Sequence, residues 1–508
     1  MKRGNERPQL RLTPRVTGWT LAVLLALPTG TAIGQEETAT ENERARPGQA
    51  LKDIPVPIED EEDGLAPAET AQREPEQDLR AIYQLALEAD RGLAAARNRR
   101  RAADEGTDQA IAQFLPQINA AGGYEDQTTT YPDSNSPDQD TEGWDATLSL
   151  TQPIFRRGYF VDLERARSSL DRAEIEFSLA EQELILTVTE AYFDVLLAQD
   201  ELALVESELA AVESQLRRAE RALEVGTGTQ TDVDEARATY DQVRSERVAA
   251  INQLDVAQET LRRITGEQPA ELAGLSEDFQ PEPIEPGETS HWVDLAQRYN
   301  LEVQLASAEE KIARHDIDAS RAERWPQLEL EGQYGYTDQE QDQQVGSGTS
   351  VGSSPNEYPR DTRSVGLQVS MPLFTGGAIS SRVRQAEAER TAAFDELADQ
   401  RRASALDARS AFLSLRSGRE RIEALEQALV SARSNEASVR RGQEVGTRTT
   451  TDVLDAQSQR FQTKRDLAEA RYDYLLNFVQ LQAAVGMAVD EKVVREINQE
   501  LQSIPQQQ

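Results

Sequence analysis

One thirteen-residue stretch occurs twice, and it constrains the fold more than any other feature. Residues 224–236 read Glu-Val-Gly-Thr-Gly-Thr-Gln-Thr-Asp-Val-Asp-Glu-Ala, and 444–456 read Glu-Val-Gly-Thr-Arg-Thr-Thr-Thr-Asp-Val-Leu-Asp-Ala; nine positions are identical at an offset of 220. Each copy follows a long heptad-patterned segment and precedes a shorter one. Gly226 and Gly446 suit the left-handed position just past a helix C-terminus. Thr229 with Asp232, and Thr449 with Asp452, have capping-box spacing. Each copy therefore predicts a tight helix–turn–helix tip.

The tips belong to a longer duplication, from about 79 to 270 and 288 to 487. Phe114-Leu115-Pro116-Gln117 corresponds to Arg324-Trp325-Pro326-Gln327, Pro153-Ile154-Phe155 to Pro372-Leu373-Phe374, and Gly266 to Gly486. One architectural unit is thus used twice. Each unit opens with a helical segment, 79–114 and 289–324. Two extended stretches follow, predicted as strands at 117–130 and 144–153, and again at 327–340 and 363–372. Ile118, Ala120, Gly122 and Tyr124 alternate with polar neighbours, as do Trp144, Ala146, Leu148 and Leu150; Leu328, Leu330, Tyr334 and Tyr336; and Val365, Leu367, Val369 and Met371. This period of two fits half-buried strands and transmembrane barrel strands alike. Pro153 and Pro372 are expected to end ladder pairing, since proline has no N–H to donate.

After Pro153, apolar residues step by three and four from Leu163 to Leu223 with one stutter. Sixty-one helical residues make a rod of about 90 Å. Its counterpart runs from about 379 to 443, and shorter helices return over 230–265 and 450–485. The expected fold is mainly α with a small β part, a duplicated helix–strand–strand–long helix–helix unit. Four strands cannot close a membrane barrel alone, so several chains are expected to share one.

The remaining segments frame this unit. Lys2, Arg3, Arg7, Arg11 and Arg15 precede a short apolar run, and Ala32-Ile33-Gly34 offers small residues for cleavage, so 1–34 reads as a signal peptide. Residues 35–78 carry 14 acidic and 4 basic side chains with five prolines, an acidic disordered linker. Residues 271–287 link the repeats and 488–508 form a tail.

Net charge is −37, which argues against nucleic acid as a partner. Only five of the 54 basic residues are lysine, a balance that suits either a high-salt habitat or a lineage bias in composition. There is no cysteine, and His291 and His315 lie in no ligand-spaced cluster. Nucleophile motifs and phosphate-binding glycine loops are absent. Neither an enzyme nor a metal or other cofactor is expected.

The tips are the candidate site. Asp452 and Asp455 are three apart on one helix, with Arg448 a turn before them. Helix capping by Asp232 and Asp452 explains each residue singly. If several chains surround an axis, the aspartates also form a carboxylate ring that admits cations and repels anions. Arg448 would then hold that ring narrow by pairing with an acid on a neighbouring helix.

Residues 79–487 resemble the TolC family of outer-membrane efflux proteins. The resemblance is carried by 445–455, by Ala470-Arg471-Tyr472-Asp473-Tyr474-Leu475-Leu476, and by the motifs starting at Pro153 and at Pro372. It implies a homotrimer in outer-membrane lipid, with a 12-stranded barrel continued by a long periplasmic α-helical barrel. It assigns the aperture ring to Asp452 and Asp455, and the gate contacts to Arg448, Thr231 and Asp232. Gln443 stands where the family has a gate tyrosine. Val225, Gly226, Thr227, Val445, Gly446 and Thr447 would dock a periplasmic adaptor protein, which in turn joins an inner-membrane transporter of RND or ABC type. The expected function is the exit duct of a tripartite efflux pump or type I secretion system. A stand-alone porin would not need the long helices, and a soluble periplasmic coiled-coil scaffold would not need the strands.

Overall fold

A computed structural model describes residues 77–487, apart from 131–138, 277–278, 282, 344–355 and 358. The expected signal peptide, the C-terminal tail and nearly all of the acidic linker lie outside the described residues. Each repeat opens with two helices where one segment was expected: α1 (Leu79–Ala89) and α2 (Arg91–Ala112), then α5 (Thr289–Tyr299) and α6 (Leu301–Ala322). The breaks fall at Asp90 and Asn300, themselves 210 residues apart. The Asp90 carboxylate accepts the Leu93 N–H at 2.6 Å, and Asn300 accepts the N–H groups of Glu302 and Val303. Side-chain capping thus restarts the helix in each repeat, overriding a continuous helical pattern.

The strands are β1 (Gln117–Thr129), β2 (Gln139–Phe155), β3 (Gln327–Gln343), the two-residue β4 (Asn356–Glu357) and β5 (Arg360–Ser370). All pairs are antiparallel, β1 with β2, β2 with β3, and β3 with both β4 and β5. Pro153 does not end pairing: β2 continues to Phe155, with a register irregularity between Pro153 and Phe155 that accommodates the missing donor. Pro372 lies beyond β5, as expected. Register aligns the apolar positions on one face: Ile118 opposite Leu150, Tyr124 opposite Trp144, Leu148 opposite Tyr334, and Leu330 opposite Leu367. Val365, Leu367 and Val369 are nevertheless 83%, 64% and 67% exposed within one chain. Among the described residues no strand pairs the outer edges of β1 and β5, and a membrane sheet with an exposed apolar face needs lipid on that face and further strands at its edges.

From the sheet run α3 (Arg157–Glu224) and α7 (Ala378–Glu444), 68 and 67 residues long, or ~100 Å each. Their return helices are α4 (Gln230–Thr265) and α8 (Thr450–Ala484). The main core forms where α3, α7 and α8 meet α1, α5 and the inter-repeat linker, around Tyr192, Phe193, Phe412 and Leu475. There the Tyr192 hydroxyl donates to the Ala273 carbonyl at 2.6 Å and lies 3.3 Å from the Gln77 carbonyl, beneath the bridge that pairs Gln77 with Leu272.

Candidate helix-tip aperture

Both tips fold by the same local rules. At the first, the Gly226 N–H donates to Leu223 and the Thr227 N–H to Ala222. At the second, Gly446 donates to Gln443 and Thr447 to Gly442. These are Schellman closures, and they require the positive φ of 77° at Gly226 and 79° at Gly446. The Thr227 and Thr447 hydroxyls bond the same carbonyls, of Ala222 and Gly442. Both capping boxes form: Asp232 N–H donates to Thr229 Oγ1, and Asp452 N–H to Thr449 Oγ1, at 3.2 Å each, with the reciprocal bonds back to the carboxylates.

Much of the sequence identity between the tips is therefore local folding chemistry. The shared Val233/Val453 and Ala236/Ala456 pairs are also buried beneath the turns. Val225 and Val445 are different: they are 73% and 75% exposed, and nothing among the described residues covers them. Two identical, solvent-facing valines at two helix tips have no folding explanation.

The second tip carries the charged arrangement. Asp452 accepts from the Thr449 N–H at 2.8 Å and the Thr449 hydroxyl at 3.0 Å, and lies 3.7 Å from Arg448 Nη1. The Thr449 bonds first, then the Arg448 charge, hold its carboxyl below the usual carboxylate range. Within one chain Arg448 therefore faces its own helix. Asp455, one turn further, is exposed and has no side-chain partner among the described residues. Gln443 bonds Thr450 across the turn at 3.3 Å. Asp232 is engaged in its own cap, and Thr231 is exposed. The two tips meet where the Thr451 hydroxyl donates to the Glu235 carboxylate.

Sequence reasoning missed the polar contacts higher up. Glu208 on α3 is 4% exposed and faces Arg465 on α8 at 3.4 Å. Tyr472 donates to Asp200 at 2.8 Å, and burial pushes its hydroxyl pKa far up. Glu436 is gripped by Arg440 and Arg460, at 2.6 Å each. The available signal was an acid beside a seam otherwise built of Val205, Leu209 and Val212.

The comparisons with known proteins agree with the fold. The family described as outer membrane efflux protein matches residues 82–267 and 292–487. The outer membrane protein TolC of Vibrio cholerae is 32% identical over 422 residues, covering 83% of this chain and 93% of that protein. The alkaline protease secretion protein AprF of Pseudomonas aeruginosa is 31% identical, covering 80% and 83%. A crystal structure of CusC, from work on its folding and transmembrane channel formation, superposes with a TM-score of 0.68 at 19% identity, covering 81% and 92%, and so shares the fold. The sheet accordingly lies in the outer membrane as part of an oligomeric barrel, and the helices extend into the periplasm. The chain belongs to the outer membrane efflux protein family.

Proposed function

We propose that this protein is the passive exit duct of a tripartite efflux pump or type I secretion system. Three copies would close a 12-stranded barrel, with β1 of one chain beside β5 of the next, and α3, α4, α7 and α8 would continue it as a tube. The observation that carries the reading is the pair of exposed tips at the far end of two ~100 Å helices hung from an open-edged sheet. Such tips are placed to narrow a tube and to meet a partner.

Asp452 and Asp455, repeated around the axis, form the aperture ring. Arg448, paired with Asp452 inside one chain, would exchange that partner for Thr231 and Asp232 of a neighbour in the closed assembly, with Gln443 bracing the turn. Val225-Gly226-Thr227 and Val445-Gly446-Thr447 are the docking surface for a periplasmic adaptor, which links the duct to an inner-membrane transporter. The similarity to AprF favours protein secretion as one use, and that to TolC leaves efflux open as the other.

Single-channel conductance in a planar bilayer tests this, beside an Asp452→Asn/Asp455→Asn variant. The reading expects a small cation-selective conductance that trivalent cations block, with block lost in the variant. A large, steady conductance indifferent to both substitutions would mean an open porin without this ring.

A further inference from the structure

The two β-hairpins copy each other in register as well as in sequence. Pro116 corresponds to Pro326 and Pro153 to Pro372, so Gln117 corresponds to Gln327 and Thr151 to Ser370. Gln117 lies opposite Thr151 in the first hairpin, and Gln327 lies opposite Ser370 in the second. Equivalent positions thus pair with equivalent positions. One seam joins the hairpins, β2 with β3. In it Thr151 lies opposite Glu331, Leu150 opposite Gly332, Leu148 opposite Tyr334, and Phe155 opposite Leu328. The equivalent strands for a second such seam are β5 and β1. They lie at opposite edges of the sheet, so that seam can form only with another copy of the chain.

Transferred residue by residue, the β2–β3 seam puts Ser370 opposite Ala121 of the next chain, Val369 opposite Gly122, Leu367 opposite Tyr124, and Phe374 opposite Ile118. The side chains support this. A leucine faces a tyrosine in both seams, and a phenylalanine faces a branched aliphatic residue in both. A branched aliphatic residue also faces a glycine in both; inside the chain, a Cβ built at Gly332 would stand 3.6 Å from Leu150 Cβ. The turn after each seam agrees. Phe155 packs on Trp325, with ring centroids 6.5 Å apart. Its equivalent Phe374 is 89% exposed within one chain, and so is Leu115, the equivalent of Trp325, at 55%.

Other registers are less favourable. A slip by one residue would turn every apolar side chain to the wrong face, so slips come in twos. A slip of two in one direction sets Leu367 against Asp126, a charge among lipid-facing residues. A slip of two in the other sets Leu367 against Gly122 and leaves Tyr124 opposite Val365. Stagger gives a separate reason. The row through Gln117 and Thr151 reaches Glu331, four residues past Gln327, the equivalent of Gln117. In the transferred register the row through Gln327 and Ser370 reaches Ala121 of the next chain, again four residues past Gln117. A closed barrel ties strand tilt to stagger, and equal steps keep the tilt uniform around it.

We propose that β5 of one chain pairs antiparallel with β1 of the next in the register that sets Ser370 opposite Ala121 and Leu367 opposite Tyr124, so that the sheet repeats at every second strand, within chains and between them alike. This register rests on the shared-barrel reading given above.

The chain has no cysteine, so introduced cysteine pairs report the register directly. A disulfide needs Cα atoms about 4.4–6.8 Å apart, which opposite residues satisfy and residues slipped by two do not. The test is oxidation of the full chain in outer-membrane vesicles, read as covalent oligomer on a denaturing gel without reductant. The in-register pairs are Leu367→Cys/Tyr124→Cys and Ser370→Cys/Ala121→Cys. They lie an odd number of rows apart, so together they sample both the hydrogen-bonded and the non-hydrogen-bonded geometry of an antiparallel ladder. The slipped pairs join Leu367→Cys to Gly122→Cys or Asp126→Cys, and Ser370→Cys to Asn119→Cys or Gly123→Cys. Leu148→Cys/Tyr334→Cys, opposite each other inside the chain, is the benchmark, read by loss of free thiol. The better in-register pair is expected to link neighbouring chains at least about tenfold faster than any slipped pair. Fastest linking in a slipped pair overturns the register and leaves the shared barrel standing. No interchain product from any pair, while the benchmark closes, removes the shared barrel and the register with it. Should the Leu367 variants not assemble, the Ser370 series decides alone, and a slipped pair linking fastest there overturns the register.

Discussion

Gly486 packs so closely on Tyr299 that a Cβ built at position 486 would lie 2.1 Å from the Tyr299 carbonyl oxygen. The same glycine has φ 75° and follows the end of α8. Beside it, Asn300 donates its side-chain amide to the Ala484 carbonyl at 3.0 Å while capping α6. The C-terminus of α8 and the break between α5 and α6 are thus one joint. Gly486→Ala meets both a disfavoured backbone conformation and a backbone clash, and should cost about 2–4 kcal/mol. The expected outcome is a lower thermal midpoint of the detergent-solubilised protein; an unchanged midpoint would show that the joint tolerates a shift.

Tyr192→Phe should loosen the attachment of the inter-repeat linker. The substitution keeps the buried ring but leaves the Ala273 carbonyl without its 2.6 Å donor. Loss of a buried hydrogen bond of this kind costs about 1–2 kcal/mol. Faster proteolysis near 270–275, with the helices otherwise intact, is the readout.

Acid should fray the second tip through Asp452. Its carboxyl is held below the ordinary value of 3.8 by the Thr449 bonds. The folded tip therefore binds protons less readily than the unfolded chain does. The stabilisation is fully present above the ordinary value and is lost as pH falls through the depressed one. Hydrogen-exchange protection of the Thr449 amide, which donates to Asp452, should drop below about pH 4 in wild type. In Asp452→Asn the protection should be weaker at neutral pH and independent of pH in that window.

Val225→Ser with Val445→Ser removes apolar surface that the fold does not use. Stability and single-channel conductance should stay at wild-type levels, because both side chains are exposed. Binding to a purified periplasmic adaptor should fall by about tenfold or more, the scale of losing a few buried methyl groups at an interface. Equal binding would place the docking surface elsewhere.

Several elements could be read directly from the chain because their causes are local. A Gly at positive φ, a Thr three residues before an Asp, and alternation in the strands act within a few residues. The tips and strands accordingly fall close to where pattern places them. At Asp90 and Asn300 the helical pattern continues on either side, so each opening segment reads as one helix, and the side-chain caps that divide it emerge only in the structure. Pro153 was misread because whether a strand passes a proline depends on the partner, and β3 accommodates it with a register shift.

The sequence by itself determined the duplication, the helix tips, the alternating strands and the resemblance that names the family, since each rests on short-range periodicity or a contiguous motif. Only the tertiary structure decided which acids are buried and what they face. Glu208 and Arg465 are 257 residues apart, as Tyr472 and Asp200 are 272 apart, and no spacing rule links such positions. They meet because α3 and α8 come from different repeats and pack side by side, and their partners are set by the rotation of each helix about its own axis.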